Sequence, residues 1–249
     1  MTNQYKILKL QTEDICDHTS QITQRGEPLN SETIEVSSIN NEVYDRLRQR
    51  ITLGNIAPGQ KISIRSVAES FGVSTMPVRE ALRKLQAEGF VTFERRSVTV
   101  NQLSVEEVKQ IFQIRERLEI LAAEWAIGKV ANKDIEELRS ILQKMDRENI
   151  NVKEWRKLNQ EFHIRFYACA KSPHIIEAIK NVWDKVEPYM AIYTSFVEDF
   201  AEAQEQHAEI LKVIEKRDLA QLVEKITEHM EHTSHIVCEA LLHPRKLIR

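Results

Sequence analysis

The sequence predicts a mostly α-helical protein in two parts, an N-terminal winged helix-turn-helix domain followed by a C-terminal all-helical bundle. Three observations carry this. Between Ile39 and Leu103, three helix-period stripes are followed by two short β-prone runs. After Ser104 the apolar period stays helical, and Gly128 is the only glycine beyond that point. Charge changes sign along the chain: residues 39–103 carry ten Lys/Arg against six Asp/Glu, whereas residues 1–38 carry three against six and residues 104–249 carry 22 against 26. The expected division is an arm at 1–37, a winged helix-turn-helix domain at 38–103 and a helical domain at 104–249.

Residues 1–37 are polar and aperiodic, with Gly26-Glu27-Pro28 and a Ser/Thr/Asn-rich stretch, and read as a flexible arm. Ile39, Val43, Leu47 and Ile51 recur every four residues and mark the buried stripe of a first helix, which Gly54 ends. Pro58-Gly59 makes a turn. A second helix, Arg65–Phe71, buries Val67, Ala68 and Phe71. Gly72-Val73-Ser74 is a tight turn with Ser74 as N-cap. The third helix runs to about Glu88, tolerates Pro77 in its first turn and turns Val78, Ala81, Leu82 and Leu85 inward. Gly89 stops it, and the runs Phe90–Phe93 and Val98–Val100 form a hairpin around Glu94-Arg95-Arg96-Ser97.

Ser104-Val105-Glu106-Glu107 is a capping box. It opens helices expected at 105–128, 133–149, 152–171, 174–197, 199–216 and 218–242. No apolar run reaches the ~20 residues of a membrane helix, and the N-terminus lacks the basic start and apolar core of a signal peptide. The three cysteines form no Cys-x-x-Cys pair, which speaks against a thiolate metal site or a disulfide framework. A bacterial cytoplasmic, nucleoid-associated protein is expected, with no membrane partner.

A helix that reads duplex DNA must present its first residues to the major groove with positive charge around them. Ser74, Thr75 and Met76 stand at the start of the third helix, and Arg79 lies one turn on, where a guanidinium can grip a guanine edge. Arg65 is placed for a base or a phosphate, and Arg83 for a phosphate. Arg95 and Arg96 at the hairpin tip can enter or clamp the minor groove. The stretch LGNIAPGQKISIRSVAESFGVSTMPVREALRKLQAEGFV, Leu53 to Val91, resembles the reading head of the GntR family of bacterial regulators. That resemblance implies a homodimer on a pseudo-palindromic double-stranded operator. Many relatives carry arginine where this chain has Thr75, and glycine where it has Arg96-Ser97.

Seven of the eight histidines lie beyond residue 104. Asn159 and His163 share a helix face, and His207 and His229 sit on two further helices. Three imidazoles and one oxygen can converge on a divalent metal inside a bundle, although scattered histidines also serve as caps or surface groups. The runs IFQIRERLEILAAEWA, LNQEFHIRFYACAKSPHI and EQHAEILKVIEKRDLAQLVEKITEHM resemble the FCD effector domain of the FadR subfamily. By that resemblance Asn159, His163, His207 and His229 hold the metal, which helps to grip a small carboxylate effector. Asn159 stands where Asp is commoner, and a neutral amide suits a hard cation poorly, so zinc or nickel is expected. Arg115 offers a fork for the effector carboxylate or, alternatively, an ion pair to Glu119. His232 and His235 are expected to face solvent or a dimer partner. Phe162, Phe166 and Tyr167, with Val182, Trp183, Val186 and Tyr189, read as core.

Two further readings compete. A metal-free regulator would sense an acyl chain in an apolar tunnel. A metal-dependent hydrolase would need a general base, and Glu161, the carboxylate beside the motif, points about 160° away from His163 around a helix. No His-Glu-x-x-His, Gly-x-Ser-x-Gly or Walker loop is present. The expectation is a regulator and not an enzyme.

Overall fold

The computed structural model describes residues 37–94, 97–196 and 200–242. Except for Ser37, the expected arm at 1–37 lies outside the described residues, as do Arg95 and Arg96.

Helix α1 (Ser37–Thr52) buries Val43, Leu47 and Ile51 as its period requires. Ile39 does not join them: it is 57% exposed in the first turn, at the rim of a groove it shares with Val43, Phe71 and Val73. Helix α2 (Ile64–Phe71) is capped by Ser63, whose hydroxyl accepts from the Ser66 amide. Gly72, at φ 66°, closes it in a left-handed conformation, and its amide donates to the carbonyls of Ala68 and Glu69. Of the three residues expected inside α2, only Ala68 is fully buried, while Val67 and Phe71 pack at the edge of the core. Helix α3 (Thr75–Ala87) buries Val78, Ala81, Leu82 and Leu85.

The wing is larger than the sequence suggests. Strands β2 (Val91–Glu94) and β3 (Ser97–Val100) pair antiparallel, and β1 (Lys61–Ile62) adds to the free edge of β3, giving the order β1-β3-β2. Two residues are too few for a visible period-2 pattern, so β1 is specified by its neighbours. Gly59, at φ 78°, brings the chain onto β3, and a Cβ there would meet Gln102 Oε1 at 2.8 Å. Its amide donates to Val100.

The second core is helical. It contains α4 (Val105–Ile127), α5 (Asn132–Met145), α6 (Val152–Tyr167), α7 (Pro173–Phe196), α8 (Ala201–Lys216) and α9 (Leu219–Leu242). The Ser104/Glu107 capping box forms with both reciprocal bonds. Helix α5 ends four residues before the expected 149, where Asp146 leaves helical geometry and Asn149 adopts φ 65°. Helix α6 also stops early: a 3₁₀ turn (Ala168–Ala170) and Lys171, at φ 56°, lead to Pro173. Trp155, Phe162, Phe166, Tyr167, Trp183, Val186 and Tyr189 are all buried, as a packing stripe should be. Val182 is only partly buried.

Among the described residues, two polar contacts through α7 join the reading domain to the bundle. Arg48 of α1 pairs with Asp184 at 2.6 Å, and the Leu103 amide donates to Tyr189 Oη at 2.6 Å. Pro188 sits inside the helix between them.

Candidate functional site

Helix α3 presents a polar outer face because its apolar residues are spent on the core. Ser74 holds the N-cap backbone position, yet its hydroxyl makes no capping bond, so it is free to meet an outside partner. Ser74, Thr75, Arg79 and Arg83 are exposed, and Met76 is 65% exposed, a large apolar side chain left in water at the helix start. Met76, Arg79 and Arg83 lie on one face at spacings of three and four. Glu80 pairs with Arg83 at 3.4 Å, and Arg65 with Glu69 at 3.1 Å, both fully in solvent where such pairs contribute little. Arg79 makes no ion pair among the described residues. Lys84 is exposed but lays its ammonium 3.7 Å from the centre of the Tyr44 ring. Tyr44 in turn donates to Glu88 at 2.7 Å, and Arg48 reaches the same carboxylate at 3.4 Å. Burial and the Glu88 bond push the Tyr44 hydroxyl up to about 12, which fixes it as the donor.

Inside the bundle, α6, α8 and α9 bring His163, His207 and His229 together. Their ring centres are 5.0, 5.2 and 4.8 Å apart, and one ring nitrogen from each falls within a 4.8 Å group. All three are buried, as is Asn159, one turn before His163. His163 Nε2 and His207 Nε2 are 3.1 Å apart, close to the ~3.3 Å that two ligands on one tetrahedral metal adopt at ~2.05 Å bonds. His229 Nδ1 lies 2.7 Å from Gln206 Oε1, and an amide oxygen can only accept, so the proton is on Nδ1 and Nε2 keeps its lone pair. The amide oxygen of Asn159 is buried with no hydrogen-bond partner. An orphaned acceptor one helical turn from His163 costs about 1–3 kcal/mol unless something binds it. This donor set fits a divalent metal.

Aromatic walls make the cluster dry. The Phe162 edge meets His163 and His207 at 5.4 and 5.3 Å, Trp183 lies 5.8 Å from His163, and Trp155 lies 6.3 Å from His207. Burial therefore holds the His163 and His229 pKa values well below the ordinary imidazole range, with the neighbouring histidines and Arg115 adding to the effect. Burial also takes His207 down to about 4; its Nδ1 makes no well-formed hydrogen bond, and the Ala203 carbonyl one turn back offsets the shift only in part. At neutral pH all three imidazoles have lone pairs to give.

Arg115 lies beside this cluster. Its guanidinium is 4.1 Å from the Trp183 ring centre and gives Nε and Nη2 bonds of 3.1 and 3.0 Å to Glu119 Oε1. The ion pair considered from spacing is thus present. Tyr167 donates to the other Glu119 oxygen at 2.9 Å. Burial raises the Glu119 pKa against the pull of Arg115 and Tyr167. A parallel layer joins Arg156 to Glu187 at 2.5 Å and Trp183 Nε1 to Glu187 at 3.1 Å. Neither layer is legible in sequence, because Tyr167 and Trp183 read there only as packing. Their polar tips were the available signal, since buried Tyr and Trp need partners. His235 is exposed, and His232 is half-buried 3.5 Å from Glu202, so neither joins the cluster. Glu161 is exposed on the far side of α6, where it cannot serve the cluster as a base.

A three-helix head with a β wing, joined to a helical domain with a buried polar centre, defines a winged-helix regulator with a sensing domain. Residues 39–100 match the bacterial regulatory proteins of the gntR family, and residues 110–232 match the FCD domain. The chain belongs to the GntR family of bacterial transcriptional regulators, with a GntR DNA-binding domain and an FCD effector-binding domain. It is 27% identical over 207 residues to the uncharacterized HTH-type transcriptional regulator YdhC of Bacillus subtilis, covering 81% of this chain and 90% of that protein. It is 29% identical over 209 residues to the HTH-type transcriptional repressor RspR of Escherichia coli, covering 80% and 89%. The solved structure of E. coli McbR/YncC has the same fold, with a TM-score of 0.73 at 22% identity over 82% of this chain and 99% of that one. These relatives are regulators, and the chain is a regulator rather than an enzyme. No helix of the described residues is long and apolar enough to cross a membrane.

Proposed function

We propose that the chain is a homodimeric regulator in the bacterial cytoplasm that reads a pseudo-palindromic operator and senses a small carboxylate at a metal site. The domain division is an arm at 1–37, a reading head at 38–103 and a sensor at 104–249. Arg79 and Met76 meet base edges. Ser74, Thr75, Arg65 and Arg83 contact the backbone or flanking bases, and Arg95 and Arg96 of the wing approach the minor groove. Asn159, His163, His207 and His229 hold zinc or nickel. When bound, the metal supplies an open coordination position for an anionic oxygen. Gln206 orients His229, the aromatic walls exclude water, and Arg115, fixed on Trp183, offers positive charge to the bound anion.

The observation that carries this reading is the convergence of three imidazoles that burial keeps neutral, with the Asn159 amide oxygen buried without a partner one turn before His163. Imidazole-rich sites favour zinc and nickel over hard cations. The test is metal content per chain in untagged protein purified without chelators, beside a His207→Ala variant. Near-stoichiometric metal that falls in the variant supports the site. No metal in either, even after incubation with zinc, overturns the metal reading and leaves the reading head standing.

A further inference from the structure

Helix α3 buries Val78, Ala81, Leu82 and Leu85. At ~100° per residue, the mean direction of these four lies about 170° round the helix from Met76. Met76 thus stands on the outermost line of α3, as far from the core as the helix allows, in its first turn. It is 65% exposed, the most exposed large apolar side chain among the described residues. Its surroundings are polar: Ser74, Thr75, Arg79, Glu80 and Arg83 are all exposed. Arg79 and Arg83 lie within about 60° of Met76 round the helix, so one face carries a thioether and two guanidinium groups. A single apolar residue on a surface is ordinary, but this one sits in the middle of the face that the proposed function turns toward DNA.

The chemistry of the major groove limits what a thioether can do there. Base edges present ring nitrogens, carbonyl oxygens and amino groups, and the C5-methyl of thymine is the one apolar group among them. A thioether has no proton to donate and accepts only weakly. Against a polar edge it would displace water without replacing the lost hydrogen bonds. Against a methyl group it removes apolar surface from water on both sides. We infer that Met76 packs on a thymine C5-methyl, and so selects thymine within one or two base pairs of the guanine that Arg79 reads. Met76 and Arg79 are three residues apart, ~4.5 Å along the helix axis. The base-pair rise is ~3.4 Å, so a helix lying along the groove brings the two side chains to neighbouring pairs. Cytosine is rejected at that pair because it offers an amino group and no methyl. Methionine suits the contact because its unbranched chain follows the methyl group without demanding one exact docking angle. Thr75, whose side chain also carries a methyl group, leaves the helix about 100° to one side of Met76.

This inference rests on the proposed reading head and names what one of its residues selects. The test starts from a duplex that the full chain selects out of random sequence. Each thymine in it is replaced in turn by deoxyuridine, which lacks only the C5-methyl. Binding is measured by fluorescence anisotropy at one fixed salt concentration for wild type, Met76→Ala, Met76→Gln and Arg79→Ala. Met76→Gln keeps the side-chain length and puts an amide at the end. Circular dichroism and thermal unfolding establish that each variant is folded. One thymine position is expected at which deoxyuridine weakens wild-type binding about fourfold, the effect of one methyl group withdrawn from water. Met76→Ala and Met76→Gln are expected to bind the thymine duplex at least that much more weakly, and to bind the deoxyuridine duplex equally well. Deoxyuridine without effect at every thymine, while Arg79→Ala still relaxes sequence preference, overturns the Met76 contact and leaves the reading head standing. A deoxyuridine effect that persists undiminished in both Met76 variants gives the methyl contact to another side chain and also overturns it. A wild type with no preferred sequence overturns the reading head and this contact together.

Discussion

Asp184 pairs with Arg48 at 2.6 Å one residue beyond Trp183, whose ring lies 4.1 Å below the Arg115 guanidinium. Two consecutive residues of α7 thus touch the two halves of the protein, Trp183 the histidine centre and Asp184 the reading head. Five residues further on, Tyr189 accepts the Leu103 amide at the start of the bundle. The pair is semi-buried: burial raises the Asp184 pKa against the pull of Arg48. Replacing Asp184 by Ala leaves Arg48 with Glu88 and the Phe90 ring, both within the reading head, and is expected to loosen the junction by ~1 kcal/mol. Amide exchange across residues 101–104 then quickens about fivefold with little change in the core helices. Unchanged exchange there would remove α7 as the link between sensor and head.

Arg79 is the arginine of the α3 outer face without an ion pair among the described residues, whereas Arg83 shares Glu80. Replacing Arg79 by Ala is expected to cost ~1–3 kcal/mol in binding to a selected operator and to relax preference at one base position. Arg83→Ala instead weakens binding to all sequences alike and lowers the salt slope by about one. Selection of bound sites from random duplexes by each variant distinguishes the two roles. Equal sequence preference for wild type and Arg79→Ala would move base reading to another residue.

The two halves differ in how much the sequence disclosed. Helical periods placed Leu47, Leu82 and Phe162 in the core because apolar residues at 3.6-residue spacing have one physical reading. Strand β1 escaped notice because two residues carry no period, and its existence depends on the far edge of the wing. Ile39 fitted a four-residue repeat but stays 57% exposed in the first turn, because periodicity marks a face and not where the core along it begins. The convergence of the histidines was legible through the family resemblance and not through their spacing. What joins His163, His207 and His229 is the packing of three helices, and spacing within any one helix does not contain it. Glu119 illustrates a further limit, since its Arg115 neighbour four residues away was visible and its Tyr167 donor, 48 residues on, was not.

Asn159 offers a test of the donor set in which gain and loss point in opposite directions. An Asp there places a carboxylate where the orphaned amide oxygen now lies. Without metal the buried charge is uncompensated, and Asn159→Asp is expected to lower the stability of chelator-treated protein by a few kcal/mol. With metal, the charge becomes a ligand. Affinity is expected to rise about tenfold or more, with manganese gaining more than zinc, because the harder cation profits more from an anionic oxygen. Thermal unfolding with and without metal reads the first effect, and competition against a calibrated chelator reads the second. A variant destabilised equally in both states would show that Asn159 is not a ligand.

The metal-free protein should also report the histidines through pH. His207 is held down to about 4 in the folded state, against ~6.5 in an unfolded chain. Its folded pKa is depressed, so the unfolded chain takes up a proton first as pH falls, and stability present above pH ~6.5 is lost progressively toward pH ~4. At pH 5 the loss from this one fully buried group is on the order of 2 kcal/mol. Burial shifts His163 and His229 in the same direction. Glu119 and Glu187 work in the opposite sense, since burial raises their pKa values, so a wild-type profile alone mixes both signs. The difference between wild type and His207→Gln isolates the imidazole. In chelator-treated protein, the stability of wild type relative to the variant is expected to fall by ~2 kcal/mol between pH 7.5 and pH 5, measured by urea unfolding at each pH. A difference that stays flat across that range would mean that His207 is open to water and able to take its proton in the folded protein.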